Sequence, residues 1–423
     1  MLPVPAPGHP PTLDGIERTL AALIRHLPLD PRTRGRPEVL PTAMLWAGIL
    51  LCILRGTPTQ RAVWRAVTGA GLWSYAPIAI TPEGVRKRIA GLGPETIQAV
   101  FGQLTAHLVA HWTGDTRLAP IARGGVYALD DTTLDKVART LPTADGPVRP
   151  LAGRLHTVFD VRRQCFQRVL PTDRAFENER TAARDLIQSL PRKSLVLLDR
   201  GFLSFPLYDQ ITAGRRFLVT RLSDTVSVRV RHVFTATPTV RDELVFLGAH
   251  RADRSRYAYR LITITTPAGT WRYLTNVRQP HQLSPAEIVA LYARRWDIEL
   301  AFKFVKRDLG LHLIWATSWA MIQIQIWATL LVAQVALVVR LQVALRAGVD
   351  LFDVSLRLLV QDLPHYLAQG PDDVVGAIVA RGSYGGIIRP SRRKSYPVPT
   401  DLPVEPPPRG LRYTQTPRYA GKA

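Results

Sequence analysis

The chain has 423 residues, 46% of them hydrophobic, enough for several domains and a large core, which excludes a disordered or fibrous chain. Its net charge of +22 and pI near 10.8 call for a polyanionic partner, because such an excess repels itself until phosphates or acidic lipids neutralise it. Two cysteines, Cys52 and Cys165, exclude a disulfide framework and a thiolate metal site, and the opening MLPVPAPGHPPTLDG lacks the basic and apolar runs of a signal peptide, so a cytoplasmic setting is expected.

Residues 1 to about 12 are proline-rich and read as disordered. From there the chain breaks into helices at Gly and Pro: Leu13–His26, Pro41–Arg55, Thr59–Gly69, Thr81–Leu92 and Glu95–Trp112. Residues 1–112 are therefore expected to form an all-helical module. Two pieces look like DNA-binding helical pairs. Thr59-Gln60-Arg61 opens one helix, and Thr81-Pro82-Glu83-Gly84-Val85-Arg86-Lys87-Arg88 opens another with a cap, Pro at the first helical position and basic first turns. Only seven of the 55 basic residues are lysine, so arginine dominates, which suits bidentate phosphate contacts. Codon usage in a GC-rich genome would give the same bias.

Near Gly124 the texture changes to short β-rich runs, which places a boundary at 113–124. Gly125-Val126-Tyr127-Ala128-Leu129 reads as an apolar strand ending in Asp130-Asp131-Thr132-Thr133. Leu155–Asp160 and Gln164–Pro171 read as two more strands, followed by a helix from Asn178 to Leu190. Ser194–Leu198 is a buried strand stopped by Asp199-Arg200-Gly201, and a helix Pro206–Ala213 and a strand Arg216–Arg221 complete residues 124–221. Carboxylates thus stand at two strand ends. Residues 222–283, with strand-like runs Thr225–Phe234, Tyr257–Thr265 and Thr270–Asn276, read as a β-rich insertion before a helix in residues 284–318. Residues 319–388 read as a helical C-terminal region. Its apolar run Met321–Val339 is interrupted by Gln323, Gln325 and Gln334 and closed by Arg340, which favours a buried helix over a membrane span. Residues 389–423 are basic and proline-rich, and a disordered tail is expected.

The helix around Leu291–Leu309 carries the densest signal. Tyr292, Arg295, Glu299, Lys303 and Lys306 are spaced 3, 4, 4 and 3, so on a continuous α-helix they fall within an arc of roughly 80°. Leu291, Ile298, Phe302, Val305 and Leu309 form an apolar stripe beside them. A carboxylate among cations suits a metal held beside phosphates. A solvated face laced with i,i+4 pairs would show the same spacing.

Tyr292-x-x-Arg295-x-x-x-Glu299-x-x-x-x-x-x-Lys306 resembles the Y-R-E-K signature of bacterial DDE transposases of the insertion sequence 4 family. The resemblance implies an α/β fold: a ribonuclease H-like catalytic core interrupted by the β-rich insertion, with the helical regions on either side. It implies catalytic, metal-holding carboxylates at Asp131 (the second acid of the D-D-T-T run), Asp199 and Glu299, and phosphate contacts from Tyr292, Arg295, Lys303 and Lys306. Trp271, in Trp271-Arg272-Tyr273-Leu274-Thr275, resembles the family's insertion-strand Trp that stacks on a flipped base; a core Trp is the alternative. Oxygen-only ligands favour Mg²⁺ or Mn²⁺, two ions per site. The expected partner is double-stranded DNA, as element ends and target, gripped by a homodimer, with no membrane. A silent DNA-binding repressor and a ribonuclease H-like nuclease that never joins strands are the competing readings.

Overall fold

The computed structural model describes residues 39–69, 72, 75–134, 153–173, 179–249, 253–316, 318–368, 373–390 and 397–419. The expected first helix, the proline-rich start and part of the tail lie outside these residues. Four helices come first: α1 (Thr42–Leu54), α2 (Gln60–Thr68), α3 (Pro82–Ala90) and α4 (Pro94–His111). Their starts follow from capping chemistry. The Thr59 hydroxyl accepts from the Ala62 N–H at 3.0 Å and the Thr81 hydroxyl from the Gly84 N–H at 3.1 Å. α1 is buried along almost its whole length, because it is apolar on every side.

The strands are β1 (Val126–Thr133), β2 (Arg154–Asp160), β3 (Cys165–Thr172), β4 (Leu195–Leu198), β5 (Phe217–Arg221), β6 (Val228–Ala236), β7 (Val240–Leu247), β8 (Tyr259–Thr266) and β9 (Gly269–Thr275). α5 (Glu179–Gln188) and α6 (Phe205–Ala213) punctuate the first five. All nine join in one sheet of order β3-β2-β1-β4-β5-β9-β8-β7-β6. β1 runs antiparallel to β2 and parallel to β4, and β4 runs parallel to β5. The insertion is welded on rather than hung on, since β9 pairs directly with β5. The insertion also contains β7, which the runs read from the sequence missed: its Arg241-Asp242-Glu243 hides the strand pattern, yet Asp242 is buried against Arg260 at 2.6 Å.

After the sheet come α7 (Pro285–Ala293), α8 (Trp296–Lys303) and α9 (Trp319–Ala347), then α10 (Leu356–Ala368) and α11 (Val374–Arg381). α9 has the length and hydropathy of a membrane span, but 89% of its most apolar window is buried inside the protein. Two of its interior glutamines are satisfied there: Gln334 exchanges hydrogen bonds with the Phe166 backbone and donates to the Thr105 hydroxyl, and Gln325 bonds Leu313 and Trp315. One apolar core joins α1–α4, α8, α9 and one face of the sheet, so the helices of residues 42–111 do not stand apart as a module. α5 and α6 cover the other face.

Two expectations are corrected here. The segment 291–309 is not one helix: the N–H groups of Arg294, Arg295 and Asp297 each bond three residues back, tightening the turn between α7 and α8, and Phe304–Asp308 widens into a π-helical turn. Residues 397–419 of the tail are not free. They lie across the insertion, with Ala258 N–H donating to Tyr413 O at 2.8 Å, Glu405 N–H to Phe234 O at 2.8 Å, and Leu411 and Tyr413 packed on Phe234, Leu244 and Phe246. Proline-rich chain stays extended, and an extended chain can pair with an exposed sheet.

Candidate active site

The parallel register of β1 and β4 runs Val126↔Leu195, Tyr127↔Val196 and Ala128↔Leu197. The pairing ends there: β1 runs on through Asp130 and Asp131 to Thr133, while Asp199 follows the end of β4 at Leu198 and caps a short 3-10 turn. Side chains alternate along a strand. Val126 and Ala128 belong to the core shared with α8, whereas Tyr127 and Leu129 face α5 and α6. Asp130 therefore looks toward α8, as does Thr132, whose hydroxyl accepts from Lys306 Nζ at 2.7 Å. Asp131 looks the other way. Its carboxylate pairs with Arg154 at 2.6 Å and lies 4.0 Å from His156 Nδ1, in a small hollow with Ala183, Leu186 and Phe202.

On the α8 side, Arg295 is the hub. Its Nη2 is 2.5 Å from Glu299 Oε1 and its Nε is 4.0 Å from Asp199 Oδ1, and its guanidinium lies over the rings of Tyr292 and Trp296. Burial opposes the charge on Arg295, but Tyr292, Glu299 and Asp199 together raise its pKa. Burial pushes the Asp130 carboxyl up to about 7; the Asp131 N–H and Arg295 pull it down, and Glu299 and Asp131 push it further up. Arg295 thus lies beside Asp199 and Glu299, and its charge and that of Glu299 reach Asp130, while Asp131 is paired with Arg154. Nothing in the residue types separates the two adjacent acids.

The rest of the expected stripe divides. Tyr292 is buried, with its ring 5.5 Å from that of Tyr273, and burial raises its phenol pKa. Lys306 reaches back to β1, while Lys303 is exposed and lines a different cleft with Arg307, Arg357 and Arg389. The tight turn before α8 and the π turn after it break the straight-helix projection. Trp271 is half-buried on β9 and lines a groove of about 970 Å³ with Tyr273, Tyr292, Arg221 and Trp296. Trp296 is 54% exposed beside Arg295.

Carboxylate oxygens are the right donors for a hard divalent cation, and a buried acid whose charge lacks compensation is what such a cation would relieve. Among the described residues, no three acidic, His or Cys side chains converge closely enough to share one ion, because Arg295 stands between Asp199 and Glu299.

The family described as Transposase DDE domain matches residues 125–334, a span that runs from β1 through α8 into α9. The putative transposase y4zB of Sinorhizobium fredii (strain NBRC 101917 / NGR234) is 24% identical over 307 residues, covering 71% of this chain and 82% of that protein. The transposase InsG for insertion sequence element IS4 of Escherichia coli (strain K12) is 23% identical over 312 residues, covering 64% and 67%. A cryo-EM structure of the piggyBac transposase synaptic complex with hairpin DNA aligns over 91% of this chain and 84% of that one, at 10% identity and a TM-score of 0.42, a likeness on which nothing here rests. A mixed α/β protein with a domain of this kind and relatives of this kind is a DNA transposase. The chain carries a transposase DDE domain and is similar to the transposase of insertion sequence element IS4.

Proposed function

We propose that the chain cuts DNA at the ends of an insertion sequence and joins those ends to target DNA through a single acidic site made by Asp130, Asp199 and Glu299. The observation that supports this reading is Arg295, whose guanidinium lies 2.5 Å from Glu299 and 4.0 Å from Asp199, with β1 and β4 paired in parallel just before Asp130 and Asp199. We read β1–β5 with α8 as a ribonuclease H-like core. Asp130, Asp199 and Glu299 would be the residues to hold Mg²⁺ or Mn²⁺ as a pair, and the chemistry these ions would supply is Lewis-acid stabilisation of an in-line displacement at phosphorus. Arg295 keeps Glu299 aimed at the strand ends, and Lys306 ties β1 to the helix segment through Thr132. The aromatic groove of Trp271, Tyr292 and Trp296 offers stacking faces to a strand end. The working unit is a homodimer on double-stranded DNA in the cytoplasm.

The test uses the full chain, Mg²⁺, and labelled duplexes carrying the DNA that flanks its gene. The expected products are cleaved ends and their joints with a second duplex, both lost with excess chelator. Binding without cutting would make the protein a repressor, and cutting without joining would make it a plain nuclease. Either result overturns the proposal.

A further inference from the structure

We infer that the cleft on the far side of α8 is a second seat for DNA backbone, separate from the acidic site and resting on the transposase reading. The cleft has a volume of about 700 Å³ and lies between the π turn, α9 and the start of α10. Five cationic side chains line it: Lys303, Arg307, Arg340, Arg357 and Arg389. The single acid among its lining residues, Asp308, is already engaged by Arg307 at 2.9 Å. Among the described residues, neither Lys303 nor Arg357 has an acidic partner. So many cations in one concavity repel one another across low-dielectric walls, and a polyanion relieves that repulsion. Four of the five are guanidinium groups, whose planar forks match phosphate oxygens.

The cleft is built rather than incidental. Arg340 is 7% exposed, and its Nε–H donates to Val354 O at 2.8 Å, which fixes the back wall. Ser355 N–H donates to Ile387 O at 2.8 Å and Arg389 N–H to Asp353 O at 2.7 Å, so the segments bearing Arg357 and Arg389 are held together by backbone. Its position also fits. Leu300 and Phe352 border both this cleft and the aromatic groove beside Glu299. Lys303 stands one turn beyond Glu299, about 6 Å along the helix axis, close to the spacing of successive phosphates on one strand. A strand crossing the acidic site can continue over this ridge into the cleft. The backbone seated there belongs to the element end, to the DNA flanking it or to the target, all of which present the same phosphodiester chemistry.

The experiment measures binding of the full chain by fluorescence anisotropy across a NaCl series, using three duplexes: an element end trimmed at its terminus, the same end with flanking DNA, and an unrelated duplex. Arg357→Ala with Arg389→Ala removes two exposed cations. Arg123→Ala with Arg192→Ala, exposed near the starts of β1 and β4 at the opposite sheet edge, removes the same charge elsewhere. The cleft variant is expected to lose about tenfold in affinity near 0.15 M salt for at least one duplex, with the salt slope reduced by about two. The duplex that suffers most identifies whose backbone occupies the cleft. Arg357→Lys with Arg389→Lys should restore the slope, which separates lost charge from lost fold. Equal affinity and slope in the cleft variant and wild type on all three duplexes, or an equal loss in the control variant, overturns the inference. If wild type binds none of them, the transposase reading falls with it.

Discussion

A carboxylate on the face of β1 that meets α8 sits among buried groups, and this burial raises the Asp130 pKa to about 7. The sign of the consequence follows from linkage. Between the unfolded value near 4 and the folded value, the native state holds a proton that the unfolded state has lost, so stability falls as pH rises through that window and is flat above it. Asp130→Asn should remove this fall. In metal-free buffer its melting temperature relative to wild type is expected to rise by about 2–4 °C or more between pH 4.5 and pH 7.5; parallel melting curves across that range would contradict the assignment. Asp131 is different, because removing its charge leaves Arg154 without its 2.6 Å partner, and Asp131→Asn should cost about 1–3 kcal/mol in denaturant melts. The sequence ended the first strand at Leu129, whereas β1 runs on to Thr133 with both acids inside it, and the residue types could not phase the Asp130-Asp131 pair. Val126 to Leu129 are buried on both faces, so no apolar alternation marks which side each acid takes.

At the scale of elements, the caps were legible because they depend on neighbours three residues away: Thr59 and Thr81 start α2 and α3 as their side-chain chemistry requires. The breaks in the segment 291–309 were not, since nothing in Arg294-Arg295 or Phe304–Asp308 forbids a continuous helix. Tertiary contacts impose them: buried Asp297 is held by Arg294 at 2.8 Å and by Gln164 at 2.6 Å, and Lys306 is drawn to β1. Lys303 and Lys306 should then behave differently. In single-turnover nicking at saturating DNA, Lys306→Ala is expected to slow the reaction by about tenfold, since it releases β1 beside the acids, while Lys303→Ala lowers affinity with little effect on that rate. Identical kinetic profiles for the two would restore the single stripe.

For the molecule as a whole, the alternation of strands and helices in residues 124–221 was readable from local pattern, but the weld of β5 to β9 and the seating of the tail were not, because both rest on partners far away in sequence. The tail's composition signals disorder. Its ordering comes from Leu411 and Tyr413 covering Phe234, Leu244 and Phe246, and from the Tyr419 hydroxyl donating to Asp209 at 2.6 Å. Ending the chain after residue 396 should therefore destabilise it by about 2–4 kcal/mol, read in chemical denaturation. A truncated chain as stable as the full one would return these residues to the status of a free tail. The central claim is that the sheet and α8 gather Asp130, Asp199 and Glu299 from three distant segments into one metal-dependent site. Its most direct test is cleavage of a labelled element end in Mg²⁺ by Asp130→Asn and Asp131→Asn, each under conditions where it is folded. The account predicts that Asp130→Asn loses more than about 100-fold in cleavage while Asp131→Asn stays within about tenfold of wild type; the reverse ranking would contradict it.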